Sequence, residues 1–305
     1  MKKTLALLLS ALFLLLAACG EAAAPVEVDL PDAEPEETAP PETAYPHPEV
    51  ELPVSTPEAE KTEEPEETLP AGELEPAGSR LTADSYVIRA IVDIIEGNME
   101  GTTCTFDENE QALYIVTPMD MSRDNLLMLW NSDPGTVSEA FDSYESMCGA
   151  AATGLAAYDV ILDAKMMGND NRELMWIVND TRVFDITAVS PLPEYSSSNS
   201  FISSVSDVIR ESGFTCEFSV SRQSLDVNCY LDSSYADFIG KRGSGDVDES
   251  AEALVQSMLE ANTVTYEGFI DAGMYGVSTT LMMYDSGGVP LALCVNGELI
   301  FNRMT

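Results

Sequence analysis

The chain has 305 residues, and its 53 Asp plus Glu against 14 Lys plus Arg give a formal net charge of -39. That balance excludes nucleic acid as a partner, because phosphate recognition is built from Lys and Arg, and it excludes docking on anionic head groups through a basic patch. The length allows one to three domains.

Lys2 and Lys3 open the chain with positive charge, and the apolar run "TLALLLSALFLLLAA" follows. It is shorter than the ~20 residues that a membrane-spanning helix needs, and it reads as the core of a signal peptide. The run ends in "LAACG", Leu16 to Gly20. This motif resembles a bacterial lipobox, a small-residue cleavage site followed by cysteine. The resemblance implies a signal peptide over 1–18 and diacylation of Cys19. The mature protein would then be anchored in the lipid bilayer on the extracytoplasmic face of the cell membrane.

Residues 21–80 hold 12 prolines and 18 acids, with only Lys61 and Arg80 as bases. A segment this poor in apolar runs cannot bury enough surface to offset its ordering entropy, so 19–80 reads as a disordered Pro/Glu-rich stalk. Fully extended it would reach roughly 190 Å, at about 3.1 Å per residue. The single histidine, His47, falls here.

From residue 81 apolar periodicity sets in, and one pattern is written twice. "VNDTRVFD" (Val178 to Asp185) returns as "VNGELIFN" (Val295 to Asn302), an offset of 117 that also aligns Leu174 with Leu291 and Met166 with Met283. Upstream the offset is 112, matching Cys104 with Cys216 and Leu113 with Leu225; at the start it is 114, matching Ile88 with Ile202. The blocks stay collinear, which marks a duplicated domain. Repeat one is 81–190, a Pro/Ser linker covers 191–199, and repeat two is 200–305.

Each copy starts with a helix, its stripe formed by Ile88, Ile91, Val92, Ile95 and Met99 or by Ile202, Val205 and Ile209. A hairpin follows: "TCTF" and "ALYIV" around "DENEQ", then "TCEFSV" and "LDVNCYL" around "RQ", read as a two-residue loop. An irregular crossing with a short helix at "RDNLLMLW" leads to a long helix. Val137, Phe141, Tyr144, Cys148, Ala151 and Leu155 share one face of it; Leu254, Met258 and Ala261 begin the matching stripe. Three strands close each copy, and "ND" and "NG" make tight turns that favour positive φ. The order α-β-β-α-β-β-β, twice, predicts an α+β fold of two tandem repeats with helices packed on antiparallel sheets. The pattern is similar to the small αββαββ domains of uncharacterised clostridial-type lipoproteins, and that resemblance implies no activity.

The folded region has no histidine, which removes Ser-His-Asp and Cys-His catalysis and His-based zinc sites. No phosphate-binding glycine loop or nucleophile elbow is present, so no catalytic residue, cofactor or metal is assigned. Cys104, Cys148, Cys216, Cys229 and Cys294 fall on apolar stripes and read as buried thiols, although a two-residue "RQ" loop would set Cys216 against Cys229 for a disulfide. "KRGSGD" (241–246) reads as a loop, and "DVDES" (246–250) as a helix start. Trp130 and Trp176 occur only in repeat one and are the candidate ligand contacts; Trp130 nominates that copy as the working one.

The first functional reading is a binding or interaction module for an unknown protein, peptide or glycan. The alternatives are a hydrolase acting through carboxylates on envelope or extracellular polymer, and a structural spacer. An enzyme predicts acids of raised pKa in one cleft; a binding module predicts an exposed apolar or aromatic patch. About 105 residues make a modest core, so the copies are expected to pack about a pseudo-twofold axis, with the ligand site at their junction.

Overall fold

The structure, a computed structural model, describes residues 74–189, 192–238 and 249–304. The expected signal peptide, Cys19 and the expected stalk to residue 73 lie outside the described residues, as do "KRGSGD" and the first part of "DVDES".

Repeat one contains α1 (Tyr86–Asn98), β1 (Thr103–Asp107), β2 (Ala112–Met119), α2 (Arg123–Ser132), α3 (Pro134–Leu155), β3 (Ile161–Gly168), β4 (Glu173–Val178), β5 (Thr181–Asp185) and the single turn α4 (Ile186–Val189). Repeat two contains α5 (Ser200–Glu211), β6 (Thr215–Ser219), β7 (Ser224–Tyr230), α6 (Glu249–Asp271), β8 (Ser278–Tyr284), β9 (Pro290–Val295) and β10 (Glu298–Asn302). The expected stripes are the buried ones: Val137, Phe141, Tyr144, Cys148 and Leu155 on α3, and Leu254, Met258, Ala261 and Phe269 on α6.

Each copy forms one five-stranded sheet with its strands in chain order. The expectation of antiparallel sheets needs one correction in each copy: β2 runs parallel to β3, and β7 to β8. The reason is the long helix. A strand of eight residues spans about 26 Å, and α3, with 22 residues, spans about 33 Å. The helix therefore returns the chain to the end where β2 began, and the next strand must run the same way.

The hairpin loops differ from the reading in opposite directions: the second has four residues where two are expected, and the first has four where "DENEQ" suggests five. Phe218 pairs with Leu225 and Ser219 with Ser224, leaving 220–223 as the loop, and Asp107 pairs with Ala112 in the same way. Cys216 consequently faces Val227, not Cys229. Its thiol donates to the Ser206 carbonyl at 3.4 Å, so the disulfide considered between Cys216 and Cys229 is not formed.

The last residue of each loop is a glutamine in the left-handed region, Gln111 at φ 50° and Gln223 at φ 52°. The Gln111 carboxamide accepts from the Leu81 N–H at 2.8 Å and donates to the Leu81 carbonyl at 2.9 Å. Gln223 does the same to Tyr195, at 2.6 and 3.1 Å. Each clasps the segment entering the first helix of its copy. The repeated "VN" has a parallel role: Asn179 Oδ1 accepts from Leu162 N–H at 3.0 Å, and Asn296 Oδ1 from Thr279 N–H at 2.8 Å. Gly297 follows at φ 85°, and a Cβ there would lie 2.4 Å from Thr263 Oγ1, so the turn accepts only glycine.

The folded part begins before the expected boundary at 81. The Glu75 carboxylate accepts from the N–H groups of Tyr86 and Val87 at 2.6 and 3.4 Å, satisfying donors at the start of α1. The Tyr158 hydroxyl donates to the Glu75 carbonyl at 2.9 Å.

Alternation along β3 sends Leu162, Ala164 and Met166 to the helix side and Asp163 and Lys165 to the other side. On β8 it sends Thr279, Leu281 and Met283 to the helix side. The faces without helices meet. The core around Trp176, Val178 and Phe184 takes in Leu293, Val295 and Phe301 of repeat two. These are the same positions at the offset of 117, so the contact is isologous, as at a two-fold axis. The layers run helices, sheet, sheet, helices, and β9 is buried along its whole length between them.

One residue bolts the copies together. Arg303 is 2% exposed. Its guanidinium donates to the carbonyls of Glu110 (2.8 Å), Gln111 (3.3 Å) and Asp159 (2.6 Å) in repeat one and of Pro290 (3.0 Å) in repeat two. It also lies 4.5 Å over the Tyr235 ring, and the Tyr235 hydroxyl donates to Asp159.

Candidate functional site

A cavity of about 390 Å³ opens where the two sheets meet. Repeat one contributes Asp163 and Lys165 from β3 and Trp176 from β4. Repeat two contributes their counterparts at the offset of 117, Thr280, Met282 and Leu293. The remaining lining comes from repeat two alone: Thr215, Cys216 and Glu217 on β6, Arg222 in the hairpin loop, Asp226 and Asn228 on β7, and Tyr284 on β8. Among these, strand alternation explains why Thr215 and Glu217, or Asp226 and Asn228, share the face that carries no helix.

Trp176 is the centre of the polar network. The register places it opposite Lys165, and its indole N–H donates to Asp163 Oδ1 at 2.8 Å. Lys165 Nζ and the Arg222 guanidinium lie 5.5 and 5.1 Å from the ring centroid, within cation–π range. Glu173 joins the two cations, accepting from Arg222 at 2.7 Å and standing 3.5 Å from Lys165. Asp226 takes the other Arg222 nitrogen, while Ser224 and Thr280 hydroxyls donate to its Oδ1 at 2.7 and 2.8 Å.

Burial raises the pKa of Asp163, and Glu173 adds to the rise; Lys165, the indole N–H and Arg222 offset only part of it. Burial alone would lower Arg222, but Asp226 and Glu173 outweigh it and hold the guanidinium charged. Tyr284 is pushed up to about 12, by burial first and then by Tyr230 and nearby carboxylates. It is a neutral phenol at ordinary pH, stacked on Tyr230 at 5.0 Å between centroids and 16° between planes. Tyr230 is 58% exposed and extends this aromatic surface to solvent.

Both cations are committed to carboxylates, and Glu217 has no side-chain hydrogen bond or ion pair among the described residues. The four thiols Cys104, Cys148, Cys216 and Cys294 have raised pKa values through burial, Cys148 and Cys294 to about 12, which keeps them as inert thiols.

Of the two tryptophans singled out from the sequence, Trp176 lines the cavity; Trp130 lies on α2, half-buried against the core of repeat one, and does not line it. Asp163, Lys165, Glu217, Arg222, Asp226 and Tyr284 were not singled out. Among the 35 acids of the folded region no pair stands out by itself. Position-by-position comparison of the repeats holds the missing signal: Glu217, Arg222, Asp226 and Asn228 replace Thr105, Glu110, Tyr114 and Val116. No protein-family model matches the chain, and no curated protein is similar enough to match it.

Proposed function

We propose that the protein is a lipid-anchored, extracytoplasmic binding module whose ligand site is the cleft between its two sheets. The supporting observation is the cleft itself. It lies at the junction of the copies, carries fixed polar groups above an apolar floor of Met282 and Leu293, and continues into the exposed Tyr230–Tyr284 stack. Such a combination suits recognition of a small or extended polar ligand. Anchoring rests on "LAACG" and Cys19. Two experiments test the reading. Cys19→Ala is expected to abolish incorporation of labelled fatty acid; labelling that persists removes the anchor. A library of peptides, glycans and small molecules is expected to contain ligands that raise the melting temperature of the full chain by linkage. That rise should disappear when Asn228→Phe fills the cleft. Ligands that stabilise both forms equally would place binding elsewhere.

A second reading, a carboxylate hydrolase using the same cleft, rests on Asp163. Its raised pKa suits a general acid, and Glu217 supplies a second carboxylate on the same cavity. Turnover of an envelope polymer that is lost in both Asp163→Asn and Glu217→Gln would establish it, and full turnover in either variant would remove it.

A further inference from the structure

Glu217 and Asp226 are direct cross-strand partners on the face that lines the cleft. Two carboxylates in that relation stand about 5 Å apart at Cβ and repel. Arg222 neutralises Asp226; Glu217 has no counter-charge among the described residues. At the same place repeat one has Thr105 opposite Tyr114, a pair that a β-sheet favours. Repeat two therefore replaces an uncharged pair by an exposed, unpaired carboxylate, and it does so at the rim of the cavity.

Charge accounting narrows what the cavity accepts. Asp163, Glu217 and Asp226 line it with Lys165 and Arg222, and Glu173 already occupies both cations. An anionic ligand would find no uncommitted positive group and would approach a chain of net charge -39. Among the described residues no three carboxylate, thiol or imidazole side chains converge as metal ligands. The cavity also offers carbon surface from Met282, Leu293 and the Tyr284 ring, which a bare ion would not use.

We infer that the cleft takes an organic cation, an ammonium group neutralised by Glu217 with its carbon frame against this apolar and aromatic lining. The inference rests on the cleft being the ligand site. Long-range attraction by the acidic chain assists capture, and the aromatic ring adds cation–π attraction.

The test uses the full chain carrying Trp130→Phe, which leaves Trp176 as the only indole and a reporter inside the cleft. The probes are 2-phenylethylammonium, its neutral counterpart 2-phenylethanol, and the aliphatic cations choline and cadaverine. At least one cation is expected to shift Trp176 emission saturably, and 2-phenylethylammonium to bind at least about tenfold more tightly than the alcohol. Glu217→Thr, which restores the residue of repeat one, is expected to erase that difference. Glu139→Gln on the exposed face of α3 is the charge control and is expected to retain it. Equal binding of alcohol and amine would overturn the cation assignment while leaving the cleft as a binding site. Equal losses in Glu217→Thr and Glu139→Gln would reduce the effect to general surface charge and overturn it as well. No cation signal at all overturns the assignment, and the cleft-filling experiment with Asn228→Phe then decides separately whether the cleft binds anything.

Discussion

The two repeats agree where the backbone demands a particular residue and disagree on the face where the sheets open. Gln111 and Gln223 share a left-handed φ and the same clasp; Asn179 and Asn296 share a turn and the same cross-strand bond. The helix-facing positions of the strands are apolar or small in both. On the open face, Thr105, Tyr114 and Val116 in one copy stand where Glu217, Asp226 and Asn228 stand in the other. After a duplication, residues that close the fold are held in both copies, whereas residues on an exposed face are free to specialise in one. The contrast gives each copy its own wall of the cleft: Glu217, Asp226 and Asn228 from repeat two, and Asp163, Lys165 and Trp176 from repeat one.

The strongest break in the symmetry is Arg303. Its counterpart in repeat one is Ile186, buried at 0% exposure. Arg303→Met should destabilise the chain by about 3–5 kcal/mol, the range for removing one partner from a buried charged network. The carbonyls of Glu110, Gln111, Asp159 and Pro290 would lose their donor together. Urea denaturation measures this. A loss below about 1 kcal/mol would mean that those carbonyls find other donors and that the bolt does not join the copies.

The glutamine clasps test the shared part of the comparison. Gln111→Ala and Gln223→Ala each remove a side chain that satisfies one N–H and two carbonyls. Each also leaves alanine at positive φ. About 2–4 kcal/mol is expected for each variant, and the two values should agree to within about 1 kcal/mol. One clasp proving silent would show that the copies no longer close by the same device.

The clasp also shows what was legible in the sequence. Periodicity exposes the helix stripes and the three closing strands, because a buried face repeats at 3.6 or 2 residues. Offsets between similar phrases expose the duplication. Gln111 carries no such signal: glutamine in "DENEQ" resembles any loop residue, and its partner Leu81 is distant in sequence. The parallel pairing of β2 with β3 depends on which end of β2 the chain returns to, which the pattern leaves open and the length of α3 decides. Trp176 was visible as a rare residue. Asp163 and Glu217 were hidden by the abundance of acids, and their role emerges only when the sheets face each other.

The open face itself predicts a smaller gain. Glu217→Thr introduces a residue of high strand propensity at an exposed position and removes a charge whose repulsion from Asp226 is already screened by Arg222, so it should stabilise the chain by about 0.5 kcal/mol. Val116→Asn in repeat one replaces a β-branched residue by a poor strand former and should weaken it by a similar amount. Chemical denaturation of both variants compares the faces directly. A destabilising Glu217→Thr would show that this carboxylate has a structural role, and the contrast between the copies would lose its functional meaning.

The smallest effect is one that pH reveals. Asp163 stands where repeat two has the neutral Thr280. Burial lifts its pKa above the ordinary aspartate value, and Glu173 assists; Lys165, the Trp176 N–H and Arg222 pull the other way without cancelling it. Below the ordinary value both the folded and unfolded chains hold the proton, and the group contributes nothing to the pH dependence. As pH rises from there towards the raised folded value, the unfolded chain releases the proton first. Stability falls through that window and levels off above it. Asp163→Asn keeps an acceptor for the Trp176 N–H and cannot ionise. Its melting temperature relative to the parent should therefore rise across the same window and then stay constant. The other carboxylates titrate in both proteins, so the difference between the two curves isolates residue 163. Parallel curves would mean that Asp163 has equal pKa values in the folded and unfolded chains, and that the cleft is more open to water than its packing between the sheets implies.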